Sequence, residues 1–170
     1  MKETFIMYAK YMQDKDRKVI ALLNGLSNEE REKDRGSYYK SLSGIFRHAG
    51  ESCSILDMIK NELAAGSAAK ASATPSAKDI PHGELTEKQW QDFCAFIEKS
   101  NQACIDFIQA ITEAELSTKV KWFSGDMVPV SFVLHAVTMH HAHHHGQISQ
   151  ILDELKIAND YSAINVKFIP

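Results

Sequence analysis

Five of the eight histidines in this chain crowd into one short string, HHAHHH, made of His140, His141, His143, His144 and His145. Neutral imidazoles bind divalent transition metals, and histidines four apart lie on one face of a helix, close enough to chelate a single cation. Two such pairs exist, His140 with His144 and His141 with His145. The remaining histidines are His48, His82 and His135. Other metal and nucleophile chemistries lack their residues. There is no HExxH, no Glu-x-x-His of the di-iron carboxylate kind, no CxxCH, no GxSxG elbow and no Gly-rich phosphate loop. Cys53, Cys94 and Cys104 are odd in number and form no CxxC, so they are predicted to be reduced core or near-core thiols.

The histidine string must ride on a helix. Leu134, Val137, Ile148, Ile151, Leu152 and Leu155 mark its core side, and that side runs through the histidines. Leu134, His141, Ile148 and Leu155 recur every seven residues, as do Val137, His144 and Ile151. A buried imidazole without a partner costs about 1–3 kcal/mol, so the interior must hydrogen-bond or coordinate these rings. At about 100° per residue the two pairs flank the apolar stripe on opposite sides, and periodicity does not choose between them. A third ligand has to come from another helix. His48 is the natural donor, midway along a second helix beside Leu42, Ile45, Ala49 and Leu56. His82 falls in a loop, His135 lies away from the stripe, and Glu51, near His48 in sequence, is expected to face elsewhere. The plainer readings are a satisfied core histidine at position 48 and a solvated histidine-rich face with adventitious metal affinity.

The positioning elements are helical throughout. Phe5, Tyr8, Met12, Val19, Leu22, Leu23 and Leu26 form one stripe, ended by the LNGLSN turn. Leu42, Ile45, Ala49, Ser52, Leu56, Ile59 and Leu63 form a second, predicting one continuous helix. Thr86 opens a third, carried by Trp90, Phe93, Ile97, Cys104, Ile108 and Ile111. The glycine and proline of KVKWFSGDMVP break the rhythm, with room for a short hairpin around Trp122 and Phe123. Pro129 suits the first turn of a fourth helix, from about 130 to about 155, and an irregular tail follows. Residues 64–83, AAGSAAKASATPSAKDIPHG, are low in complexity and read as a long loop. Four amphipathic helices without alternating strands predict an all-α four-helix bundle, one domain over residues 1–170.

Composition narrows the partners. The 170 residues carry 19 Lys+Arg against 22 Asp+Glu, so no basic surplus exists for a nucleic-acid backbone. The N-terminal stretch has no apolar region of signal-peptide length. The most apolar segment, VPVSFVLHAV, is too short to cross a bilayer. The expectation is a cytoplasmic protein without nucleic acid or membrane.

The string H-x3-H-x-GQI (His140, His144, Gly146, Gln147, Ile148), followed by LKIANDYS, resembles the C-terminal signature of the DinB/YfiT-like family. SLSGIFRHAGESCSILDMI, around His48, resembles an earlier family segment, and YAKYM, G-D-x-x-P and DYS follow the same order over nearly the whole chain. The resemblance implies a four-helix bundle, often a homodimer, with one divalent ion held by three histidines. Matched residue by residue these are His48, His140 and His144, which resolves the pair ambiguity. Relatives include thiol-dependent transferases, using bacillithiol or mycothiol, and isomerases. The chain departs from the pattern at His145, where the family commonly has arginine, and at Met139, where it often has asparagine.

The function these readings point to is a metal-dependent enzyme, a thiol S-transferase or a hydrolase, acting on a small molecule. Zinc or nickel comes first as the ion, with iron or manganese next, and a low-molecular-weight thiol is the candidate co-substrate. No catalytic residue beyond the ligands stands out. A non-catalytic metal-binding bundle, using His135, His141, His143 and His145 for metal capture, and a metal-free structural dimer are the alternatives.

Overall fold

In the computed structural model, residues 1–51, 54–76, 78, 80–160 and 168 are described. They are predominantly helical: α1 (Lys2–Asn24), α2 (Asn28–Glu32), α3 (Leu42–Gly50), α4 (Ser54–Glu62), α5 (Ala68–Ala71), α6 (Glu87–Ala110) and α7 (Val130–Glu154). Two three-residue strands, β1 (Lys119–Lys121) and β2 (Met127–Pro129), pair antiparallel between α6 and α7. α1 runs along α6, and α7 packs against both α3 and α1. No helix among the described residues is long and apolar enough to cross a membrane.

Local chemistry sets the helix ends. Gly25 stops α1, its N–H reaching the Leu22 and Leu23 carbonyls. Thr86 opens α6 as expected, and Gln89 completes a reciprocal cap: the Thr86 hydroxyl accepts from the Gln89 N–H, and the Gln89 side chain accepts from the Thr86 N–H. Pro129 stands one position earlier than predicted, at the cap of α7, because it also ends β2.

The second stripe is carried by α3 and α4, with Glu51 capping α3 and with Ser52 and Cys53, between them, outside the described residues. One expectation changes. The low-complexity stretch is not all loop: Ser67 caps α5, and Ala69 is fully buried. A small side chain can enter a close contact that a larger one could not, so low complexity does not preclude packing. Ala77 and Asp79 of that stretch, and residues 161–167 of the tail, lie outside the described residues.

The interior has two apolar clusters. One gathers Val19, Leu23, Phe46, Trp90, Phe93 and Leu152. The other gathers Phe5, Leu56, Ile59, Phe107, Val133 and Leu134. Between them in chain order lie buried polar residues: Asp16 on α1, Ser100 on α6, and His141, His144 and His145 on α7. Arg31, 1% exposed, anchors the first cluster's end. It donates to the Leu23 and Leu26 carbonyls, pairs with Glu87 and lies over the Trp90 ring.

The turn leading into α3 is packed to backbone contact. Ser41 caps the helix by accepting from the Gly44 N–H at 3.1 Å, and a Cβ on Gly44 would collide with the Tyr39 carbonyl oxygen. Gly44→Ala is therefore expected to cost about 1–3 kcal/mol, as forced overpacking does. Because the Tyr39 ring stacks on His48, the variant should also weaken metal retention. Thermal melts and bound-metal analysis check both effects.

Candidate metal centre

His48 projects from the last turn of α3, and His140 and His144 project from one face of α7. One ligand atom from each can be chosen so that all three lie within 4.8 Å of one another. The ring centroids of His48 lie 4.8 Å from those of both His140 and His144, and those two are 4.4 Å apart. The three residues singled out in the sequence thus meet at one point, close enough to hold a metal ion.

The surroundings select which ring nitrogen is left bare. His144 Nδ1 lies 2.7 Å from Gln147 Oε1, an atom that can only accept, so Nδ1 carries the proton and donates. His48 Nδ1 faces the Glu51 carboxylate at 3.3 Å in the same sense. In both rings Nε2 is then the bare lone pair, as metal-ligating histidines require. Three imidazoles suit a divalent transition-metal ion. Gln147→Leu is expected to lower metal affinity about 10–100-fold with little change in fold, because the ring loses its orienting partner. Competition with a chromophoric chelator measures this.

Tyr39 lies flat on His48, centroids 4.0 Å apart and planes at 15°, and meets His144 edge-on at 5.5 Å. Burial first, then the neighbouring His144 and His48, depresses the His140 pKa from 6.5 to about 4. Burial lowers that of His144 as well, although its bond to Gln147 pulls the other way. Both rings are accordingly neutral, in ligand form, at neutral pH. The sign for stability follows. Between about pH 6.5 and pH 4 the unfolded chain takes up a proton at position 140 that the folded chain does not. Metal-free protein is expected to lose stability as pH falls through that window and to gain none from it above. Tm measured against pH in chelator, with a smaller slope for His140→Ala, checks it.

The second histidine pair is engaged elsewhere. His145 Nε2 donates to Asp16 Oδ1 at 2.8 Å, and His141 Nε2 lies 3.5 Å from Asp16 Oδ2, which also accepts from Asn101 at 2.8 Å. Asp16 is 1% exposed. Burial pushes its pKa up, but the facing His141 and the hydrogen-bonded His145 outweigh that and hold it below the usual carboxylate range. Periodicity left the two pairs equivalent; their neighbours separate them, α3 on one side and α1 on the other. Of the remaining histidines, His135 is exposed and packs edge-on against Phe5, His143 is exposed beside His144, and His82 is exposed in its loop. Cys94 is buried and its thiol is pushed up to about 12, chiefly by burial, which suits an inert core residue.

Beside the triad opens a cleft of about 390 Å³. His48 and His140 form its metal edge, Trp122 and Phe123 come from the β1–β2 turn, and Ile55 and Val137 face it from α4 and α7. Glu51 also lines it, contrary to the expectation that it faces elsewhere. Three residues after His48, with αR backbone at the end of α3, it stays on the same face. Tyr39 gave no signal in the sequence, and Gln147, quoted there only as part of the GQI string, is the i+3 neighbour that holds the His144 ring.

No curated protein and no solved structure matches the chain. The sequence profile of the DinB family matches residues 1–156, a span that holds all three triad histidines and the helices bearing them. The chain belongs to the DinB family.

Proposed function

We propose that this chain is a single four-helix-bundle domain in which His48, His140 and His144 hold one divalent ion, zinc or nickel before iron or manganese. We further propose that it acts as a metal-dependent enzyme on a small molecule, by thiol S-transfer or by hydrolysis. The observation that carries this reading is the meeting of three imidazoles from two helices at the edge of a cleft. An ion held by three neutral ligands supplies a Lewis-acidic point with an open position, where bound water or thiol is deprotonated near neutral pH. Around that point Glu51 and Gln147 fix the His48 and His144 tautomers, Tyr39 walls one side, and the largely apolar cleft opens beside it. Membership in the DinB family and the resemblance to thiol-dependent transferases favour a low-molecular-weight thiol as co-substrate.

Metal capture by the whole histidine cluster is the weaker reading, because His141 and His145 are taken up by Asp16. Elemental analysis of tag-free, dialysed protein, followed by a screen of thiols with electrophiles, tests the proposal. One retained equivalent and chelator-sensitive thiol consumption support it. Several weak ions lost on dialysis support capture, and a metal-free protein whose melting ignores chelator overturns both. A homodimer is proposed alongside; a 19 kDa particle by light scattering across micromolar concentrations would remove it.

A further inference from the structure

The cleft beside the triad has an unusual charge balance. Among the described residues lining it there is no lysine or arginine, and the one carboxylate, Glu51, faces His48. Its other surfaces are aromatic or aliphatic. Trp122 and Phe123 lie 4.8 Å apart at 53°, and the Phe123 ring is 75% exposed. Ile55 and Val137 line this cleft and also a second, narrower cavity of about 60 Å³. They therefore stand between the cleft and a narrower space bounded by Phe5, Met12 and Leu134, with Asp16 and His141 also on its lining.

We infer that the cleft binds a molecule with a metal-seeking donor at one end and a neutral apolar body, of the size of a substituted benzene ring. Ile55 and Val137 set how deep that body reaches. The inference rests on the metal-site reading and adds the substrate class to it. A charged group on the body would lose its hydration against Ile55, Val137 and Phe123 without gaining a counter-ion. An anionic body would also meet Glu51, and a cationic one would sit beside the bound divalent ion. Planar rings suit the Trp122 and Phe123 faces.

The test uses tag-free, full-length protein loaded with cobalt(II), titrated with benzyl mercaptan and with 4-(mercaptomethyl)benzoate. Binding is read from the cobalt–thiolate absorption; the thiol proton leaves to solvent as sulfur binds. The carboxylate is expected to bind at least about tenfold more weakly. A series with 4-methyl, 4-ethyl and 4-propyl groups should stop gaining affinity at Ile55 and Val137 in the parent protein. In Val137→Ala, and likewise in Ile55→Ala, affinity should go on rising by about fourfold per added methylene, as the chain enters the narrower cavity. Equal affinities for the neutral and anionic thiols, or an unchanged chain-length profile in both variants, overturn the inference.

Metal-free protein separates this from failure of the metal reading. Benzyl alcohol should still perturb Trp122 fluorescence where 4-(hydroxymethyl)benzoate does not, with the response lost in Trp122→Phe. If cobalt is not held by the triad but this discrimination persists, the metal reading fails and the cleft assignment stands. If cobalt is held and the discrimination is absent, the reverse is true.

Discussion

Alanine at His48, His140 or His144 is expected to abolish tight metal binding, while alanine at both His141 and His145 leaves one equivalent in place. Each of the first three substitutions removes one of the three imidazoles that converge within 4.8 Å. The loss should exceed the roughly 10–100-fold expected for removing an orienting partner such as Gln147. The fold should survive best at His48 and His140, which are only partly buried, whereas His144 is buried. Elemental analysis after dialysis, with circular dichroism as the control, decides it. Retention of a full equivalent by His140→Ala/His144→Ala, with loss in His141→Ala/His145→Ala, would move the centre to the Asp16 side of α7.

The second large effect belongs to Asp16. Its carboxylate is the shared acceptor for His145 and Asn101 and faces His141 as well, all within the layer between the two apolar clusters. Removing one partner from a buried polar network strands the others, which costs about 3–5 kcal/mol. For a chain of this length, Asp16→Ala should lower Tm by about 6–20 °C. Asp16→Asn keeps one acceptor oxygen and should fall between. Adding His141→Ala/His145→Ala to Asp16→Ala should cost less than the sum, because the groups share partners. Thermal melts of the four proteins in chelator measure these values. A Tm for Asp16→Ala within about 2 °C of the parent would show that the network contributes little to folding.

What could be read from sequence divides along physical lines. The apolar stripes of α1, α6 and α7 repeat with the helical period over several turns, so their existence and facing were legible from spacing alone. The Thr86 cap was visible because a capping hydroxyl precedes a periodic run. Asp16 was hidden. In YMQDKDRK it reads as part of a solvated charged face, and its burial depends on α7, more than a hundred residues away. His140 and His144 were legible as candidates because helix geometry pairs histidines four apart; spacing did not choose between the two pairs, the family resemblance did, and the neighbours on each side of α7 give the physical reason.

The string HHAHHH has a built-in ambiguity that the two partners of α7 remove together. Suppose α7 slips by one residue, so that each position is taken by its C-terminal neighbour. His141 and His145 then fill the places of His140 and His144, and the side toward His48 still sees two imidazoles. Asp16 would instead face Ala142 and Gly146 and lose every donor from this helix. A slip in the other direction hands Asp16 the pair His140 and His144 but offers His48 a methionine, Met139, beside His143. Each wrong threading satisfies one partner and starves the other. α7 therefore works like a key cut on two edges, turning home only when both wards are met, and Asp16 guards the one misthreading that the metal itself could not detect.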